Sequence, residues 1–440
     1  MIEFTAILLQ FFVFLVFSIP SLFIFNKSIS KIYNFSFFEN LVFNLLIFFN
    51  LILFLSLYKL NLKEIIFSYL VFLLIIFFLN LINFKNFKNK IINSFNIYYI
   101  ILIFIICCVI FIDIASDATL SWDAEKFWVH KTLNFYNGYD IENLVNVKKP
   151  YYPYLGNLIW SFFWKLSFID HEYSGRLFYG FFFVISIFLL SSNLNLSTIY
   201  KSIFSVLFVI LTYEYFFEIF NGDQDILIFS LIAISMHCFY RLSNYSNINK
   251  NLYIFFIALI INSLIWIKQE GMISSFIILL TLIIFFKLNF RQKLILIFSY
   301  SLFMILKIII FNHFNFNNDI LLHDSFTDFS IQSIFNKIVF YKYILILKYF
   351  LIANFKYYLL VPGFLILILS YLNKQLFKKI SYVYFFLLLN FIFLLAVYTM
   401  TDKSVEFMLN TTLDRLIYQF SPSIILVFIE YINSAKNKIK

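Results

Sequence analysis

The sequence predicts an all-α, polytopic integral membrane protein, and three observations predict it. Of the 440 residues, 62% are hydrophobic and 13% are charged, whereas soluble domains carry roughly a quarter charged residues. Apolar runs of 17–22 residues recur along the whole chain, each long enough to cross a hydrocarbon core of roughly 30 Å as a helix. The polar residues are also sorted, with short basic segments alternating with acidic ones.

Taken in order, about thirteen spans are expected, near residues 4–25, 39–58, 63–83, 97–114, 176–194, 201–219, 225–241, 252–267, 272–287, 294–311, 352–372, 380–399 and 416–433. The opening "MIEFTAILLQFFVFLVF" carries Glu3 where a cleaved signal would be basic. Its apolar run is also too long for a signal, so it reads as a first membrane helix. Stretches 153–168 and 338–350 are shorter or interrupted by charge and proline, and are expected to be interfacial or re-entrant. Cys107, Cys108 and Cys238 lie inside apolar runs at spacings that fit neither a metal site nor a disulfide framework.

The net charge of +10 fits the excess of Lys and Arg on cytoplasmic loops better than a nucleic-acid partner. If the loop with Lys85, Lys88 and Lys90 is cytoplasmic, alternation places Lys27, Lys31, Lys201, Arg241, Lys250, Lys287, Arg291, Lys293, Lys374, Lys378, Lys379 and the Lys436–Lys440 tail there too. Only Glu39 and Glu430 among the acids fall near that face. The opposite face receives segments 115–175, 220–225, 268–271, 312–351 and 400–415. Function has to be built from these and the helix ends beneath them.

The first outer segment holds "LSWDAEKFWVHK", with Asp123 and Glu125 in the first turn of an expected helix from Ser121 to Gly138. Asp123 or Ser121 can cap its start, and Asn137-Gly138 can stop it. Trp122, Val129, Leu133 and Tyr136 share a stripe that suits an amphipathic helix in the interface. Pro150 and Pro153 in "KKPYYPYL" impose an extended or turned path. Asp223 and Asp225 begin a later helix, and "WIKQEGMI" encloses Lys268 and Glu270 in apolar sequence. Ionisable groups so near hydrocarbon are costly and usually have partners or work. Segment 312–351 carries His313, Asp319, His323, Asp324 and Asp328 at spacings that match no metal motif. Arg415 opens the final span, where its planar fork suits either phosphate or an acidic neighbour such as Asp414.

The order of these motifs resembles the GT-C superfamily of membrane glycosyltransferases, particularly bacterial members similar to dolichyl-phosphate-mannose–protein mannosyltransferases. The resemblance rests on Asp123, Phe127 and Gly138, then Pro150 and Pro153, Arg176-Leu177, Asp225, Lys268-x-Glu270-Gly271 and "TTLDRLIYQFSP". It covers about residues 113–425. The chain departs from it where Glu125 stands two positions from Asp123, since some members have adjacent Asp-Glu. The spans before the one leading into the acidic loop look like an N-terminal extension, 1–96. They precede a core at 97–311 with outer loop 115–175, a second outer loop at 312–351 and C-terminal helices at 352–440.

The resemblance implies an inverting glycosyltransferase that moves a sugar from a polyprenyl-phosphate-linked donor to a lipid, glycan or protein acceptor. It implies a bacterial inner membrane, with the active site on the periplasmic or extracellular face. Carried over by position, Asp123 is the base, with Glu125 sharing the role or replacing it, and Asp225 is a second acidic residue. Lys268, Glu270, Arg415 and Lys149 surround the donor phosphate and sugar. Metal use varies across the superfamily, so the resemblance assigns no ion and leaves a divalent cation open. The alternative expectation is a transporter or lipid flippase, which places polar groups at the bilayer midplane.

Overall fold

The computed structural model describes residues 2–18, 36–81, 97–215, 220–244, 250–316 and 337–439, and these contain helices and no strand. The helices are α1 (Ile2–Ser18), α2 (Phe37–Leu57), α3 (Leu62–Leu81), α4 (Ile97–Ser116), α5 (Val129–Tyr136), α6 (Leu155–Lys165), α7 (Tyr173–Ser191), α8 (Thr198–Tyr215) and α9 (Asp225–Asn244). Then follow α10 (Lys250–Ile267), α11 (Gln269–Phe285), α12 (Phe290–His313), α13 (Phe340–Lys356), α14 (Leu360–Leu372), α15 (Lys374–Met400), α16 (Val405–Phe420) and α17 (Pro422–Ile439). A π-helical turn, Ala124–Trp128, leads directly into α5.

Among the described residues, 8 helices are long and apolar enough to cross a membrane, or 9 with a bent pair counted as one span. Two further apolar helices, Thr5–Ser18 and Gln269–Phe285, are shorter. The expectation of about thirteen spans exceeds this number. Parts of the expected spans 4–25, 63–83 and 201–219 lie outside the described residues. The expected span at 352–372 differs in shape, because α13 and α14 meet at a bend of 107°. Tyr357 at that bend is fully buried, stacked 3.9 Å from Tyr215 and hydrogen-bonded to Ser421 at 3.0 Å. Those contacts turn the chain where its hydropathy alone would run straight.

The centre of the bundle is α7 against α9. Both are apolar around their whole circumference and buried along nearly all their length. A helix with this pattern is enclosed by others on every side. α12 is the opposite case: only Leu296, Lys307 and Phe311 are buried, so one narrow stripe packs inward and the rest faces outward.

The described N-terminal helices pack on this centre. Gln10 of α1 donates to the Phe163 carbonyl at 3.3 Å. Asn50 of α2 donates to Ser263 of α10 at 3.1 Å. Glu39, buried at the start of α2, takes hydrogen bonds from His237 and Arg241 of α9 and Tyr253 of α10.

α6 is eleven residues long and buried from Leu155 to Trp164. At about 1.5 Å per residue it is too short to span. The expected stripe of Trp122, Val129, Leu133 and Tyr136 is not the buried face. Trp122 is 66% exposed, and the buried positions are Ala124, Trp128, Lys131, Thr132, Asn134 and Phe135. Polar anchors explain the change of face. Asn157 donates to the Trp128 carbonyl at 2.6 Å, and Ser161 donates to the Thr132 carbonyl at 2.8 Å.

Candidate functional site

Two loops meet at one end of α9. The Ser121 amide donates to the Asn221 carbonyl at 2.8 Å. The Ser121 hydroxyl accepts from the Ala124 amide at 3.3 Å and donates to Asp223 at 2.9 Å. Ser121 is therefore the cap of the following turn, and Asp123 makes no capping bond. Gly222 permits the approach. Its φ is +97°, and a Cβ there would lie 2.7 Å from Ala124 Cβ and 2.9 Å from the Trp160 ring.

Arg176, fully buried at the start of α7, ties the same loops together. It donates to the carbonyls of Ala118, Thr119 and Phe220 at 3.3, 3.1 and 3.2 Å. Its charge is met by Glu172 at 2.7 Å. This guanidinium supports the site without being one of the groups that converge in it.

The turn between α10 and α11 brings Lys268 and Glu270. It is tight because Gly271 lies against α10, where a Cβ would sit 2.3 Å from the Leu264 carbonyl oxygen. Lys268 is buried and donates to both oxygens of Asp225, at 2.9 and 3.1 Å. Its Nζ also lies 3.5 Å from Glu270. From α16, Arg415 Nη1 donates to Asp123 at 2.5 Å, and its Nε lies 3.4 Å from Asp225. Gln419, one turn on, donates to Asp225.

Asp123, Asp225, Lys268, Glu270 and Arg415 thus come from four separated segments into one cluster. The sequence left Asp414 open as the partner of Arg415, and the structure pairs it with Asp123 and Asp225 instead. Glu125 is elsewhere: it is exposed and pairs with Lys126 at 2.8 Å, and the hydrogen bond and charge of Lys126 lower its pKa. Lys149 has a φ of +51°, and its Nζ lies 4.5 and 5.1 Å from the ring centroids of Phe127 and Tyr152. Asp319, His323, Asp324 and Asp328 lie outside the described residues.

Sequence reasoning named Asp223 at a helix start but left it out of the site, and it passed over Gln419. Gln419 carried a usable signal, since it stands four residues after Arg415 and so shares its helix face. Asp223 reads as an acid at the helix start, and only the fold shows it buried, at 3% exposure.

Four carboxylates around two cations make the cluster acidic. Burial pushes Asp223 up to about 6, with Asp225 and Asp123 adding to the rise and Arg415 and Lys268 opposing it. Burial and Arg415 both work against the Lys268 ammonium, but Asp225, Glu270 and Asp123 outweigh them and raise its pKa. Two buried atoms in the cluster, Arg415 Nε and Glu270 Oε2, make no hydrogen bond. Among the described residues no group of three or more His, Cys, Asp or Glu side chains is arranged to hold a metal ion, and here Arg415 and Lys268 stand between the carboxylates. No protein family, curated protein or solved structure matches the chain.

Proposed function

We propose that the protein is an inverting glycosyltransferase of the GT-C kind. It takes a sugar from a polyprenyl-phosphate-linked donor and passes it to a lipid, glycan or protein acceptor at the outer face of a bacterial cell membrane. One observation carries this reading: the residues that the motif order singles out, Asp123, Asp225, Lys268, Glu270 and Arg415, come together although they are scattered over 292 positions.

In the proposed reaction Asp123 accepts the proton of the acceptor hydroxyl or amine. The acceptor atom bonds to the anomeric carbon as the bond from that carbon to the phosphate oxygen breaks. The polyprenyl phosphate leaves with the electron pair, and Lys268 and Arg415 stabilise its growing charge. At rest Arg415 is held by Asp123, so donor binding has to draw the guanidinium to the phosphate, which also frees the base. Asp225 holds both cations in place meanwhile.

The test is transfer by purified protein supplied with polyprenyl-phosphate sugars. Asp123→Asn is expected to fold at normal abundance and transfer nothing measurable, and full activity in that variant would remove the base from Asp123. Mass spectrometry of glycolipids and surface glycans in a deletion strain identifies sugar and acceptor, and unchanged glycans there would sink the reading.

A further inference from the structure

α6 links the two turns that bring Asp123 and Asp225 into the cluster. Its Asn157 is fully buried. Asn157 Nδ2 donates to the Trp128 carbonyl at 2.6 Å and to Thr132 Oγ1 at 3.2 Å, and its Oδ1 accepts from Gln224 Nε2 at 2.9 Å. Trp128 ends the π-helical turn that follows Asp123, and Gln224 stands between Asp223 and Asp225. Gln224 is fully buried too, and its carbonyl accepts the amides of Leu227 at 3.1 Å and Ile228 at 3.4 Å as α9 begins. A bridge of two side-chain amides therefore joins the end of the Asp123 turn to the start of the helix that carries Asp225.

The bridge has a fixed polarity. A carbonyl only accepts, so the Asn157 nitrogen faces Trp128, its oxygen faces Gln224, and the Gln224 nitrogen faces Asn157. Turning over either amide would set two oxygens against each other. In this orientation Gln224 Oε1 is buried without a hydrogen bond, which is costly for an acceptor, yet the bridge is kept. The packing makes room for it as well. Gly156 precedes Asn157, and a Cβ there would lie 2.5 Å from Gln224 Cδ, so any side chain would displace the amide.

Arg415 joins the same two turns by a second route, through Asp123 and Asp225. In the reaction proposed above, the guanidinium leaves Asp123 for the donor phosphate, and that route opens. The start of the Asp123 turn is then still held by Ser121, and its end by Asn157 and Gln224.

We propose that Asn157 is a positioning residue: acting through Gln224, it keeps the Asp123 turn in place against Asp225 when Arg415 moves to the donor phosphate. This rests on the transfer reaction proposed above. Asn157 acts on the base only through the main chain of Trp128. A misplacement of about 1 Å costs on the order of 10²-fold in rate, so loss of the bridge falls on kcat, while Lys268 and Arg415 still bind the donor.

The test is steady-state transfer by full-length protein with polyprenyl-phosphate sugars, for Asn157→Leu, Gln224→Met, the double variant and Ser161→Ala. Each of the first two is expected to lower kcat at least about tenfold with donor KM unchanged. The double variant should lose no more than the worse single one, because both changes break the same bridge. Ser161→Ala removes the neighbouring bond to the Thr132 carbonyl and should keep kcat. Normal kcat in both single variants, an effect confined to KM, or additive losses in the double variant would overturn the proposal. Hydrogen exchange of the amides of residues 124–129 is a readout that needs no donor. Arg415→Gln imitates the released guanidinium and should leave this exchange near wild type, and adding Gln224→Met or Asn157→Leu should speed it. Fast exchange in Arg415→Gln alone, or no change on breaking the bridge, would also overturn the proposal. If wild-type protein transfers no sugar while exchange behaves as expected, the bridge stands and the proposed function falls. Gln224→Met leaves Asn157 bonded to Trp128 and decides the matter if Asn157→Leu fails to fold.

Discussion

The two ends of α9 both bury charge, but they complete it differently. At one end Glu39 accepts from His237 at 3.0 Å, Arg241 at 2.9 and 3.2 Å, Tyr253 at 2.7 Å and the Ser36 amide at 2.8 Å. An ionised carboxylate offers about four lone-pair sites, so Glu39 is saturated. Asn193 donates to the other nitrogen of His237 at 3.0 Å, which leaves the His237 ring no spare polar atom. At the other end Arg415 Nε and Glu270 Oε2 have no hydrogen bond, and Ser121 at 2.9 Å is the hydrogen-bond donor to Asp223. Buried charge alone does not mark a working site. The Glu39 end is a closed knot that fastens α2 to α9 and α10, whereas the Asp225 end keeps two buried polar atoms without a hydrogen bond.

That contrast can be broken from either side. The largest effect is expected for Asp123→Asn, a loss of transfer of about 10²–10⁴-fold with little change in melting temperature, read by transfer assay and thermal unfolding together. Glu39→Ala should do the reverse. Removing one partner of a buried charged network costs about 3–5 kcal/mol, so its melting temperature falls sharply while each folded molecule keeps its activity. A loss of activity per folded molecule would mean that the two ends are coupled.

Asp223→Asn sharpens the comparison through pH. Folding raises the Asp223 pKa from 3.8 to about 6, so the folded state holds this proton more tightly than the unfolded one. Its contribution to stability is fully present below about 4 and is lost as pH rises through about 6. The Asn variant should therefore be more stable than wild type above pH 6, by at most on the order of 3 kcal/mol at about 1.4 kcal/mol per pH unit. The gain should shrink towards pH 4, and an equal gain at both pH values would remove Asp223 as its cause. Smallest of all is Glu125→Gln. This side chain is exposed and pairs with Lys126, so neither transfer nor melting should move, and lost transfer would return Glu125 to the site.

Class and clustering were legible for different reasons. Long apolar runs identify membrane helices because lipid leaves backbone polar groups no partner outside the helix. The convergence of Asp123, Asp225, Lys268, Glu270 and Arg415 could be expected because topology sorts loops by face, and charges near hydrocarbon gather. What escaped was decided by contacts between distant segments. In residues 352–372 only Lys356 and Pro362-Gly363 hint at a break, and the bend itself is set by contacts of Tyr357 with Tyr215 and Ser421. Lys131 and Thr132 are polar, and nothing local marks them as buried, yet they pack on anchors from α6 and the loop before it. Asp123 and Glu125 could not be told apart by composition. The π-helical turn separates them, sending one to Arg415 and the other to solvent.

The Asp123–Arg415 contact has a consequence for synthesis. Its partners are 292 positions apart. At about 5–20 residues per second, a ribosome needs roughly 15–60 s to travel from one to the other. Through that interval the first acidic loop and most of the membrane helices are already made, but the cationic half supplied by α16 is not. A nascent chain stalled before Arg415 would therefore leave Asp123 without its guanidinium partner. The cluster is completed late and all at once, when α16 is made.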